Sequence, residues 1–97
     1  RSKGQLTLDK GAVNVIKNKG SSLLSIGVID VQGTFQRGDI VICVDENNHK
    51  VARGLVNYSS EESNLIKTKS SKEIADILGY RDEAELIHRD NLVLCMD

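Results

Sequence analysis

The sequence predicts a small, mainly β domain of mixed strands with short helices at its edges, a barrel more than a sandwich. Three observations predict it. Short apolar runs with alternating or β-branched character recur at Gln5–Leu8, Gly27–Gln32, Ile40–Val44 and Lys50–Tyr58. Between and after them lie brief helical stripes that carry their own capping residues. The resulting order, βαβββααβ, fits a small mixed barrel. With 97 residues, no repeat and no proline, residues 1–97 are expected to form one domain. A chain of this size buries roughly 60–70% of its extended surface, enough for one core without staples. Its only aromatic side chains are Phe35, Tyr58 and Tyr80, so that core must be aliphatic.

In the first strand Leu6 and Leu8 share one face, and Gln5 and Thr7 the other. Asp9 follows in the position of a helix N-cap, where its carboxylate can accept from free first-turn amides. Ala12, Val13 and Ile16 then recur at helical spacing, while Lys10, Asn14 and Lys17 fall together on the opposite side. Lys17 and Lys19 occupy the last turn, where the helix dipole favours positive charge, and Gly20 supplies a left-handed exit. A helix of about ten residues is marginal alone, so its apolar stripe must dock on the strands.

Ser21–Ser25 reads as a loop, and Gly33 and Gly38 bracket a turn in which Phe35 is expected to plug one mouth of the barrel. Ile40–Val44 is a near-continuous apolar run, which predicts a central strand covered on both sides. Asp45–His49 is a hairpin loop into the strand Lys50–Tyr58, within which Gly54 marks a bulge or a close backbone approach. The expected core joins Leu24, Val28, Ile40, Ile42 and Val56 to Ala12 and Ile16. Ser59–Glu62 and Ser70–Glu73 both fit the S-x-x-E capping box. Leu65 and Ile66 should anchor the first of the two helices. Ile74, Ile77 and Leu78 should anchor the second, which Gly79 stops. Glu85–His88 and Asn91–Met96 read as a closing extended segment.

Several chemistries are excluded by what is missing. No G-x-x-x-x-G-K-[ST] or G-x-G-x-x-G motif is present to cradle phosphate, and no serine sits in a G-x-S-x-G elbow. His88-Arg89-Asp90 shares three letters with the catalytic loop of protein kinases, but the other kinase elements are missing. A structural histidine and an ion pair tying down the last strand account for it better. Cys43 and Cys95 lack zinc spacing and read first as small buried hydrophobes, as in a reducing cytoplasm, with a disulfide or a metal site with His49 or His88 as the alternatives. No metal site or catalytic residue is assigned. No apolar run approaches the ~20 residues of a membrane span. The only methionine is Met96, so the chain is expected to be an excised piece of something longer.

Charge points to one surface. Residues 1–20 carry Arg1, Lys3, Lys10, Lys17 and Lys19 against Asp9 alone, a net +4 in a chain of net −1. The face formed by Lys10, Asn14 and Lys17, with Lys19 and Gly20 beside it, is therefore the candidate anion- or RNA-contacting site. Solvated lysines that merely keep a helix soluble are the plainer account. The aromatic stacking groups of many single-strand RNA readers are missing, so any RNA binding should be weak.

A resemblance runs through the same residues. Asp9-Lys10-Gly11-Ala12, Gly20-Ser21-Ser22-Leu23-Leu24, Gly27-Val28, Gly33 to Asp39 and Ala52-Arg53-Gly54-Leu55 resemble a PUA domain, a small pseudo-barrel found in many RNA-modifying enzymes. Asn57-Tyr58-Ser59-Ser60, Ile77-Leu78-Gly79-Tyr80 and His88-Arg89-Asp90-Asn91-Leu92-Val93 narrow it to the C-terminal PUA domain of the glutamate 5-kinases. Ser25 and Ile26 depart from that pattern, since many relatives carry a proline just before the second strand. The resemblance implies a PUA-like pseudo-barrel of mixed strands that serves as an accessory or regulatory module. Its parent would transfer the γ-phosphoryl of ATP to glutamate with Mg²⁺, in proline biosynthesis. The active site and both cofactors would belong to an amino-acid-kinase domain upstream, leaving none in this stretch. The implied partner is that kinase domain, in a cytoplasmic homo-oligomer, with the fragment itself a monomer. A PUA module that binds RNA, alone or fused to an RNA-modifying enzyme, is the alternative.

Overall fold

The computed structural model describes residues 2–95. Five strands form one mixed sheet: β1 (Gly4–Leu8), β2 (Val28–Gly33), β3 (Ile40–Val44), β4 (Lys50–Leu55) and β5 (Leu92–Leu94), in the order β2-β1-β3-β4-β5. β1 pairs parallel with β3, and the other neighbours are antiparallel. Helix α1 (Lys10–Lys19) lies in the connection from β1 to its antiparallel neighbour β2, while α2 (Ser60–Ile66) and α3 (Ile74–Leu78) follow β4. No helix among the described residues is long and apolar enough to cross a membrane.

Helix α1 begins and ends as its sequence dictates. Asp9 Oδ1 accepts from the Ala12 N–H at 2.8 Å, and Gly20 closes the helix at φ 61°. Ala12 and Ile16 are buried in the same core as Leu6, Leu8, Val28 and Val56. Both capping boxes form, at Ser59–Glu62 and at Ser70–Glu73. Phe35 is buried, its ring close against Gly4, and its N–H donates to Ser60 Oγ at 3.2 Å, so the plug is tied to α2.

Strand β3 corrects the expected core. Leu6 pairs with Cys43 and Gly4 with Val41, so those side chains point inward while Ile40 and Ile42 lie half-buried on the outer face. An unbroken apolar run has no period of its own, and the partner strand settles the parity. The expectation that β3 is covered on both sides fails within this chain for the same reason. Leu24 is exposed and Leu23 is the buried member of that pair, held by an antiparallel bridge to Ile87.

The later helices bury less than expected. Ile66 and Ser63 turn inward from α2 and leave Leu65 exposed. In α3 Ile74 is buried and Leu78 packs on the core, but Ile77 is exposed. β4 stops at Leu55, three residues short of Tyr58. Gly54 sits where chains crowd: a methyl group there would lie 2.5 Å from the Asn91 carbonyl oxygen. The register shifts lie elsewhere, at Thr7–Leu8 against β2 and at Cys43–Val44 against β4. The tail folds as a bridge at Ile87, a 3₁₀ turn at Arg89–Asn91 and the short β5, and Met96 lies outside the described residues.

Candidate functional site

Two grooves flank α1, and they differ in chemistry. The first, of about 390 Å³, lies between the polar side of the helix and the β3–β4 hairpin. Lys10, Asn14 and Lys17 line it, as their i, i+4, i+7 spacing requires. Asp45, Glu46 and Asn47 line the facing wall. Asp45 Oδ1 accepts from the N–H groups of Asn47 and His49, each at 2.9 Å. The His49 amide above all, and then that of Asn47, outweigh slight burial and hold the Asp45 carboxyl below its usual range. The wall opposite the lysines is therefore anionic.

The structure thus gathers Lys10, Asn14 and Lys17 and adds carboxylates from a hairpin about thirty residues away, which no local spacing announces. Asn14 is partly engaged already, since its Oδ1 accepts from Asn18 Nδ2 at 2.6 Å. Among the described residues, no carboxylate lies within salt-bridge distance of Lys10, Lys17 or Lys19. Lys19 lines neither flanking groove, and Gly20 opens into a separate small cleft with Ile16, Arg89, Leu92 and Leu94.

The second groove was not foreseen. It occupies about 540 Å³ between the first turns of α1 and the segment Ser21–Gly27. Its lining is apolar, with Ala12, Val15, Leu23, Leu24 and Ile26, and Asp9, Ser21 and Ser22 supply the polar atoms. Ser25 turns inward, with its Oγ donating to the Lys69 carbonyl at 2.7 Å, and so its neighbours Leu24 and Ile26 face out. The alternation in Leu23–Gly27 was the available signal, hidden because a serine takes the inward place.

The remaining candidates are structural. Cys43 is buried, and that burial, with Cys95 nearby as a lesser cause, pushes its thiol up to about 12. β4 separates the two cysteines: Cys43 pairs with Ala52, and Ala52 with Leu94. Two strand spacings of about 4.8 Å put them beyond the reach of a disulfide. At the expected ion pair of this segment, Asp90 Oδ2 lies 3.6 Å from His88 Nδ1, and among the described residues Arg89 makes no salt bridge to Asp90. His88 Nδ1 also accepts from the Asp90 N–H at 3.1 Å, capping the 3₁₀ turn, and the Arg89 N–H donates to Ser22 Oγ at 2.8 Å. No cluster of three potential metal ligands occurs among the described residues.

Comparison with known proteins agrees with the fold. The family model described as PUA domain matches residues 4–78. A glutamate 5-kinase from Saccharophagus degradans is 58% identical over 92 residues, covering 95% of this chain and 25% of that protein. Another from Methylococcus capsulatus is 56% identical over the same coverage. The chain thus spans about a quarter of the length of these relatives. Among solved structures, a PUA domain from Aeropyrum pernix, in a tartrate complex, matches with TM-score 0.61 and 30% identity, over 90% of this chain and 43% of that one. The archaeal box H/ACA sRNP Nop10-Cbf5 complex matches with TM-score 0.61 and 15% identity, over 94% of this chain and 23% of that one, a likeness of fold alone.

Proposed function

The chain belongs to the PUA domain family, and on that premise we propose that residues 1–97 are the C-terminal accessory domain of a glutamate 5-kinase. The observation that supports it most is the identity above one half, over nearly the whole chain, to enzymes of that name. In this reading phosphoryl transfer takes place in an upstream kinase domain, which holds ATP and Mg²⁺. Such transfer depends on positioning and on metal neutralisation of the phosphate charge, for which this sequence has no phosphate-cradling loop. The accessory domain then works by contact with its own kinase domain, in a cytoplasmic homo-oligomer. The test is to express the full-length chain that contains this sequence and assay MgATP-dependent phosphorylation of glutamate. Activity is expected from the full chain, and no MgATP binding at micromolar affinity by residues 1–97 in calorimetry. An inactive full chain, or MgATP binding by the isolated domain, overturns the proposal.

A second reading, weak RNA binding, draws support from the cationic Lys10/Asn14/Lys17 face and its neighbours Lys19 and Gly20. About three lysines reaching phosphates would give a log–log salt slope near −2, at roughly −0.7 per single-strand contact. The anionic wall at Asp45 and Glu46 opposes it. Replacing Lys10 and Lys17 by Glu should abolish any such binding equally for all RNA sequences. Anisotropy titrations at low and moderate salt read this out, and a sequence-dependent loss counts against the phosphate-only contact.

A further inference from the structure

The outer face of the sheet carries apolar side chains that nothing among the described residues seals. Ile40 pairs with Leu55, and Ile42 pairs with Arg53, which pairs in turn with Val93. All of these side chains alternate with the inward residues Val41, Cys43, Ala52 and Gly54, so they share the outward side. Ile40 and Ile42 are half-buried, Leu55 is 40% exposed and Val93 54%. Water-facing strands normally alternate apolar with polar residues, and an unbroken run such as Ile40–Val44 belongs to strands covered on both faces. Arg53 and Gln5 flank Ile42 on this face, and a group of exposed apolar side chains rimmed by polar ones in this way marks an interaction surface.

We propose that this outward face, centred on Ile40, Ile42, Leu55 and Val93, is an interdomain interface, covered by the chain segment that precedes Arg1. The proposal rests on the reading that this chain is the C-terminal quarter of a protein as long as its relatives. Connectivity selects the occupant. The chain enters the sheet at this end: the Lys3 N–H donates to the Ile40 carbonyl at 2.8 Å, and Ser2, Lys3, Gly4 and Gln5 border a shallow cleft with Ile42. An upstream domain therefore emerges beside the patch and reaches it without a long linker. The second, outer cover that β3's sequence calls for then comes from outside these 97 residues.

The exposed residues supply their own controls. Val93 (54%) matches Ile26 (53%), and Leu55 (40%) matches Leu24 (41%), while Ile26 and Leu24 lie by α1, outside the patch. In the full-length chain each is replaced singly by cysteine (V93C, I26C, L55C, L24C), and maleimide labelling is timed with the background of native cysteines subtracted. Val93→Cys and Leu55→Cys should react at least about tenfold more slowly than their matched controls, since each ~1.4 kcal/mol of opening free energy is a factor of ten. Equal rates within the pairs, or slower controls, overturn the proposal. Labelling at Val93 that speeds up on dilution makes the cover a second copy and overturns the assignment to the upstream segment. Glutamate phosphorylation is assayed on the same preparations. Protection without that activity leaves the interface standing and removes the kinase reading, and activity without protection does the reverse.

Discussion

In residues 4–58 most buried side chains belong to strands or to α1, whereas residues 67–91 are fastened largely by scattered hydrogen bonds that reach back to that body. The Thr68 N–H donates to the Ser25 carbonyl at 3.0 Å, and Ser25 Oγ donates to the Lys69 carbonyl. The Tyr58 hydroxyl donates to the Glu83 carbonyl and accepts from the Glu83 N–H at 3.0 Å. Asn57 Nδ2 reaches the Glu85 carbonyl at 3.0 Å, and Arg37 pairs with Asp82. Only Ile74, Leu86 and Ile87 are buried as apolar pegs in that segment. The body is held by area removed from water, which is non-directional and tolerant. The strap is held by geometry, so one lost atom can release a whole link.

The largest effect should come from the body. Ile16 is buried between α1 and the sheet, so Ile16→Ala should cost about 2–5 kcal/mol in urea unfolding. A loss below about 0.5 kcal/mol would mean α1 is not docked there. The strap should respond next. Tyr58→Phe keeps the ring packing and deletes the hydroxyl, leaving the Glu83 N–H and carbonyl without that partner. A loss of about 1–3 kcal/mol is expected, together with faster amide exchange confined to residues near Glu83. Uniform exchange across the sheet would show that body and strap unfold as one unit and would dissolve the contrast.

The same contrast explains what the sequence disclosed. Helix α1 was legible because Asp9, the Ala12/Ile16 stripe and Gly20 each act within a few residues, and so were both capping boxes. The grouping of Lys10, Asn14 and Lys17 was legible for the same reason, being helical periodicity alone. Asp45 and Glu46 across the groove were not, because tertiary folding brings the hairpin there. Ile40 and Ile42 were placed inside because a run of five apolar residues leaves its parity to β1. The strap was least legible. Bonds from Asn57, Tyr58 and Ser25 to distant carbonyls follow no period, and any polar side chain in a loop could have made them.

The smallest effect probes a strap contact by its charge. The Glu62 carboxylate accepts from the Tyr80 hydroxyl and from the Ser59 N–H, the latter at 3.1 Å. Burial works to raise the Glu62 carboxyl, but the Tyr80 hydroxyl and then the Ser59 groups outweigh it, leaving it below its usual value of 4.5. That contribution is complete above the unfolded carboxylate range and is lost as pH falls through the lowered value. Tyr80 mirrors it. Accepting its proton, Glu62 holds the phenol above its usual value of 10.0, so this contribution is complete below 10 and lost as pH rises past the raised value. Glu62→Gln keeps the S-x-x-E/Q capping box through its amide oxygen, removes the charge and puts an NH₂ donor where an oxygen accepted from the Tyr80 hydroxyl. Stability of the wild type relative to Glu62→Gln should therefore fall at both acid and alkaline edges and stay flat between. The pair is exposed to solvent, so the difference should stay under about 1 kcal/mol and shrink further in high salt. A difference that does not change with pH would show that Tyr80 meets Glu62 without sharing its proton, and the strap would then rest on Tyr58 alone at this point.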